Sequence, residues 1–284
     1  MFYTINENFV DNFFKDIYTT KPTNRLNSQF EATILEDGKQ QVTINTIGHN
    51  PKDITVDVTD EEITVILISL KIASIASIFS LPFGVFTGFV LARKSFPFKK
   101  LLVSFVNLPL ILPPVVTGYL LLILFGKNGY IGKFLLDYFN FTFAFKWTGA
   151  ALACAIMGFP LMVRSIKLAI EMIDTKIEDA ARTLGATPIK VFFTITLPIS
   201  LPGIVVGTTL SFARSLGEFG ATITFVSNIP GETQTLSAAI YTFLQIPNGE
   251  AMALRLTFIS IFISILAILI SEIILEKLLK TNRK

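Results

Sequence analysis

The chain has 284 residues, of which 51% are hydrophobic and 16% charged, and its net charge is +3; this composition excludes an ordinary soluble domain. Its one histidine, His49, and one cysteine, Cys154, are too few and too far apart for a protein-built zinc site, a Cys-His nucleophile pair or an intramolecular disulfide. No phosphate-binding loop of the form G-x-x-x-x-G-K-[ST] occurs, so any ATP that drives this chain is bound by another one.

Charge divides the chain in two. Residues 1–62 hold 5 Lys and Arg against 11 Asp and Glu, a formal charge of −6 that leaves +9 for the rest. In this acidic part QFEATILED, QQVTINTIG and DITVDVTDEEITV alternate apolar and polar residues, the period of half-buried strands, and Asp37-Gly38 signals a turn between the first two. From Ser28 to Val65, most clearly in GHNPKDITVDVTDEEITV, the sequence resembles the opening strands of an α-crystallin-type small heat-shock domain. The later strands of such a sandwich are missing, and three strands alone bury little. The expectation for 1–62 is therefore a β-prone soluble leader, appended or fused, without a chaperone role. Residues 1–20 contain Asp and Glu and no continuous apolar core, so no secretory signal peptide is expected there.

From residue 63 onward, several segments meet the roughly 20 apolar residues needed to cross a hydrocarbon core. They are about Ile63–Ala92, Leu101–Phe125, Trp147–Leu168, Ile195–Phe225 and Ala251–Leu275. Backbone groups in lipid must satisfy one another, which makes such segments helical. The predicted fold class is an all-α membrane protein, a polytopic bundle of about five transmembrane helices over 63–284. Basic residues cluster in ARKSFPFKK after the first span, at Lys176, Arg182 and Lys190 after the third, and in the tail EKLLKTNRK. These fall on one side of a five-span chain and are predicted to be cytoplasmic in a cell (inner) membrane. The N-terminus and the loops around Lys127–Lys146 and Asn228–Glu250 are then outside. A membrane-tethered interaction protein would need only one span.

Between the third and fourth spans lies EDAARTLGATPIKVFFTITLPISLP, Glu178 to Pro202. Asp174 is a predicted N-cap, and TKIEDAARTLGA sets Ile177, Ala180, Ala181 and Leu184 on one side of a short amphipathic helix. Gly185 is predicted to end or bend it, and Pro188 prevents simple continuation. Small alanines on a surface helix let a partner's backbone approach closely; the same amphipathicity also suits a helix lying among headgroups.

The spacing here matches a cytoplasmic signature of ABC importer permeases: E-A-A, three residues, G, nine residues, I-x-L-P. Asp179-Ala180-Ala181, then Arg182 to Leu184, Gly185, nine further residues and Ile195-Thr196-Leu197-Pro198 follow it position by position. Asp179 stands where Glu is usual, and Glu178 directly precedes it. The resemblance implies that residues 174–198 couple the membrane part to a separate nucleotide-binding subunit. Its site residues are Glu178, Asp179, Ala180, Ala181, Gly185, Ile195, Leu197 and Pro198, and the sequence leaves open which acid meets the partner.

Longer runs, among them LPLILPPVVTGYLLLILFGKNGYIG and SFARSLGEFGATITFVSNIPGETQTLSAAIYTFLQIPNGEAMALRLTFIS, resemble the molybdate permeases of that family over about 64–280. Sulfate permeases are the nearest alternative, and tungstate shares the cargo chemistry. The resemblance implies a homodimer of this chain with an ABC ATPase subunit and an extracytoplasmic molybdate-binding protein, embedded in the lipid bilayer and unrelated to nucleic acid. It implies no cofactor, catalytic residue or metal site in this chain, with ATP and Mg used by the partner ATPase.

Within the spans, Arg214 and Glu218 form an i, i+4 pair, and ionisable groups at membrane depth usually face a bundle interior or a water path. A structural or gating pair and a direct contact with the anion both fit. Pro113 and Pro114, with Thr117 following, interrupt LPLILPPVVTG; they either free backbone groups to line a cavity or kink a helix for packing. A secondary transporter would require ion-coupling carboxylates within the spans, where Glu218 already has Arg214 as partner.

Overall fold

The computed structural model describes residues 30–34, 40–44, 59–247 and 249–281. The chain divides into two units, Met1–Asp57 and Val58–Lys284. In the first, β1 (Phe30–Ile34) and β2 (Gln40–Ile44) pair antiparallel, with Phe30 opposite Ile44 and Ile34 opposite Gln40. Asp37-Gly38 and residues 53–58 of the expected third strand lie outside the described residues.

The rest of that expected strand is helix. Glu62 N–H donates to Thr59 Oγ1 (3.3 Å) while Thr59 N–H donates to Glu62 Oε2 (2.8 Å), a reciprocal cap that satisfies two donors left free at a helix start. Asp60, Glu61 and Glu62 fill the first turn, where the helix dipole favours acids. Helix α1 therefore runs Asp60–Arg93, and the alternation in DEEITV is overridden by the cap before it.

The second unit continues with α2 (Lys99–Ile111), α3 (Pro114–Phe125), α4 (Tyr130–Phe139), α5 (Trp147–Glu171), α6 (Thr175–Thr183) and α7 (Pro188–Val191). A π-helical turn (Phe192–Thr196) leads into α8 (Leu197–Leu216), followed by α9 (Gly220–Val226), α10 (Leu236–Phe243) and α11 (Glu250–Thr281). Among the described residues, four helical segments are long and apolar enough to span a membrane: α1, α5, Pro188–Leu216 and Glu250–Lys280. The expected continuous span Leu101–Phe125 is instead two helices, α2 and α3, bent by 111°. Pro113 cannot donate a helical hydrogen bond, and Pro114 suits the first position of a new helix, so the chain restarts there. The expected span Ile195–Phe225 likewise stops at Leu216 and resumes as α9 from Gly220.

Side-chain contacts fix the helix directions. A Cβ built on Gly84 would come within 2.7 Å of Met162 Sδ, one on Gly88 within 2.9 Å of Ile166 Cγ2, and Arg93 Nη2 donates to Ile173 O at 3.0 Å. Rising numbers meet rising numbers, so α1 and α5 run parallel. Helix α8 runs the opposite way along α5: Ser165 Oγ donates to Gly203 O (2.9 Å), Gly158 faces Ser211, and Ser215 Oγ donates to Cys154 O (3.3 Å). Glycines and serines at these crossings bring the backbones close, as in other membrane bundles. Because α1 and α5 are parallel, the intervening chain, α2 to α4, must return to the starting end, and the bent pair α2–α3 on that return is apolar enough to count as a fifth, broken span. Arg93, Glu171 and α6 thus share one end of the bundle; Trp147, Glu232 and Thr59 lie towards the other.

At that other end Glu62, fully buried, holds Arg255 through Nε (3.1 Å) and Nη2 (3.0 Å), tying α1 to α11. Lys71 Nζ sits 3.8 Å above the Trp147 ring. The core lies where α1, α3, α5 and α9 meet, around Ile72, Leu121, Cys154, Met157 and Phe225.

Candidate functional site

The segment between α5 and α8 is built by local rules. Asp174 accepts Lys176 N–H (3.0 Å) and opens α6. The helix closes at Leu184, with Gly185 N–H donating to Arg182 O (2.9 Å) and Ala186 N–H to Ala181 O (3.0 Å). Gly185 stands at φ +87°, a left-handed conformation that an L side chain resists, and nothing lies within 4 Å of where its Cβ would be. Thr187 then caps α7, with Pro188 in its first turn. The π-helical turn widens the chain ahead of Pro198, Leu197 N–H reaching back to Phe192 O, and Ile195, Leu197 and Pro198 are half-buried there. Such π turns are frequent at functional sites.

The two acids that the sequence left in competition are sorted by the fold. Glu178 points inward and is 3% exposed; its Oε1 accepts Arg93 Nε (3.2 Å), Arg93 Nη2 (3.1 Å) and the Thr196 hydroxyl (2.8 Å). Asp179 points outward and pairs only with Arg182 one turn on, at 3.1 Å. Ala180 is exposed and Ala181 half-buried. Ile177 and Leu184, which the sequence set on the same side as the alanines, are 48% and 89% exposed. The outward face of α6 therefore sets Ile177 and Ala180 among Lys176, Thr183 and the exposed Asp179–Arg182 pair, while its inward contact is a buried charge. Between α6, α7 and the end of α1 lies a cleft of about 890 Å³ walled by Val85, Phe86, Phe89, Phe192 and Phe193.

The second group of predicted residues meets at the two helix breaks. Arg214 lies in the last turn of α8, whereas Glu218 lies beyond its end, past the Gly217 cap, and not on the same helix as expected. They still pair: Arg214 Nη2 is 2.8 Å from Glu218 Oε2 in a contact without hydrogen-bond alignment, and Glu218, 1% exposed, accepts Ala221 N–H through Oε1 (2.9 Å). Two residues on, a Cβ on Gly220 would come within 2.8 Å of Pro114, and one on Gly118 within 2.5 Å of Ala221 O. The α2–α3 break is thus seated against the α8–α9 break. Thr117 is buried beside it, its hydroxyl without a partner. Among the described residues, no three His, Cys, Asp or Glu side chains gather as a metal site.

Arg93 and Thr196 were not singled out by sequence reasoning as site residues. Arg93 counted only as a topogenic charge, since its partner lies 85 positions away.

Residues 80–280 match the model of the family described as binding-protein-dependent transport system inner membrane component. The chain belongs to this family. As an inner membrane component of that kind, it is 61% identical over 214 residues to the molybdenum transport system permease protein ModB of Escherichia coli (strain K12), covering 75% of this chain and 93% of the relative. It is 39% identical over 189 residues to the sulfate transport system permease protein CysT of the same organism, covering 66% and 68%. Among solved structures, a bacterial ABC transporter involved in the import of the acidic polysaccharide alginate aligns with TM-score 0.64 at 16% identity, over 82% of this chain and 85% of that one. That likeness establishes the permease fold.

Proposed function

We propose that this permease carries molybdate across the membrane, as a homodimer joined to ABC ATPase subunits that use ATP and Mg, and fed by an extracytoplasmic molybdate-binding protein. The observation that carries the cargo assignment is the identity to a molybdenum permease over nearly the whole of that relative, against the lower identity and coverage for a sulfate permease. Tungstate has the same charge and shape and is the expected second substrate.

The outward face of α6 is the docking surface for the ATPase. Its support is geometric: Ile177, Asp179, Ala180 and Leu184 are exposed, and the Gly185 turn sets the helix angle. This end is cytoplasmic, in keeping with Arg93, Lys94, Lys99, Lys100, Lys176 and Lys190 gathered there. The Arg214–Glu218 pair, with Pro113, Pro114 and Thr117, holds the two helix breaks together as a structural element of the translocation path.

In the assembled transporter, with the cognate binding protein, ATPase activity is expected to rise with molybdate and tungstate and to stay at its basal rate with sulfate. Equal stimulation by sulfate would overturn the cargo assignment. Residues 1–57 form a separate unit, and their deletion is expected to leave the rate of uptake unchanged in cells expressing equal amounts of the permease.

A further inference from the structure

The polar contacts between α1 and the coupling segment have one origin. Among the described residues, hydrogen bonds and ion pairs from α1 to residues 172–198 all start at Arg93, in the last turn of the helix. Arg93 and Glu178 are 13% and 4% exposed. Along the same boundary a cleft opens between α1 and the α7–π-turn segment, with the Phe89–Phe192 edge contact (centroids 4.9 Å apart) across it. A single oxygen, Glu178 Oε1, therefore joins three elements: the end of α1, helix α6 and the π turn that leads into α8.

Burying two charges sacrifices hydration that a surface helix would keep, and such a pair is better at fixing geometry than at adding stability. The geometry it fixes has no covalent substitute. Helix α6 is joined to α5 through Met172–Asp174 and to α8 through the Gly185 turn, whereas α1 lies 85 residues away along the chain. We propose that Arg93, Glu178 and Thr196 form a strut that transmits displacement of α6 into α1, so that α1 and α8 move together when α6 is pushed. This rests on the reading of α6 as the ATPase-docking helix, and the three are positioning residues that touch neither ATP nor anion.

The test uses the assembled transporter in proteoliposomes, measuring molybdate imported per ATP hydrolysed. Glu178→Gln and Arg93→Gln are each expected to lower that ratio about tenfold, within the range usual for coupling between sites, while basal ATPase activity persists. The exchange of both charges, Arg93→Glu with Glu178→Arg, is expected to recover part of the ratio, which a merely weakened fold would not do. A wild-type ratio in both single variants, or no recovery in a double variant that inserts and binds ATPase normally, overturns the strut. If a single variant fails to accumulate, Thr196→Val decides: it removes only one hydroxyl, a partial fall is expected, and a wild-type ratio overturns the proposal. A benzophenone attached at Leu184→Cys reports on docking separately. Failure to cross-link the ATPase subunit contradicts the docking surface, whereas cross-linking together with full coupling in Glu178→Gln contradicts the strut alone.

Discussion

Glu218→Ala is expected to leave little folded permease. The carboxylate is 1% exposed and serves two groups at once, Arg214 through Oε2 and the Ala221 N–H through Oε1. Its removal strands a guanidinium among helices that read as membrane-buried, together with a backbone donor at the start of α9. Breaking such a pair from one side costs about 3–5 kcal/mol, a large part of a total stability of about 5–15 kcal/mol. The damage also reaches the α2–α3 break, because Gly220 and Ala221 are packed against Pro114 and Gly118. Unfolding midpoints in detergent measure the loss. Arg214→Leu with Glu218→Leu removes both charges, and replacing a buried pair by apolar groups is often close to neutral, so stability is expected to return in large part. Transport by that double variant then separates the two roles open to the pair. A structural pair predicts that uptake returns with the fold; a stable protein without uptake would show that Arg214 meets the anion.

Gly185→Val is expected to do the opposite: to spare the fold and impair coupling. At φ +87° a β-branched residue is strained by about 1–2 kcal/mol, yet the turn is exposed and no neighbour lies within 4 Å of the new Cβ. Relief of the strain rotates Leu184 and the end of α6, the part facing outward. Insertion and the unfolding midpoint should therefore change little, while molybdate imported per ATP falls about tenfold or more, by the size of typical coupling between sites. Reversing the exposed charge, Asp179→Lys, should act in the same direction with a smaller effect, because its ion pair with Arg182 is exposed and such pairs contribute little.

The contrast between Asp179 and Glu178 shows where sequence reading reaches and where it stops. The spacing from Asp179 through Gly185 to Pro198 is local, and it placed the segment, its N-cap at Asp174 and its left-handed glycine correctly. Which neighbour of a helical wheel faces inward depends on a partner, and Arg93 lies far off in sequence; the choice between Glu178 and Asp179 was therefore not legible there. The same division runs through the bundle. Hydropathy located the crossings, and Pro113-Pro114 announced a disruption, but the 111° bend depends on how α3 packs against α9. Gly217 gave warning that α8 could end before Glu218, though an uninterrupted i, i+4 reading of Arg214 and Glu218 hid it. The error at Asp60–Val65 was avoidable. Thr59-x-x-Glu62 is the sequence form of a capping box, and it stood in plain view within a stretch whose alternation suggested a strand.

The claim that joins these elements is that an ATPase seated on α6 drives this permease to import molybdate. Proteoliposomes holding the permease with its ATPase subunits, supplied with loaded molybdate-binding protein on the side opposite α6 and ATP on the side of α6, test it directly. Accumulation of molybdate is predicted only when all three are present, and is predicted to fall about tenfold or more with Gly185→Val although ATP is still hydrolysed. Accumulation that continues without ATPase subunits, or that is undiminished by Gly185→Val, would contradict it.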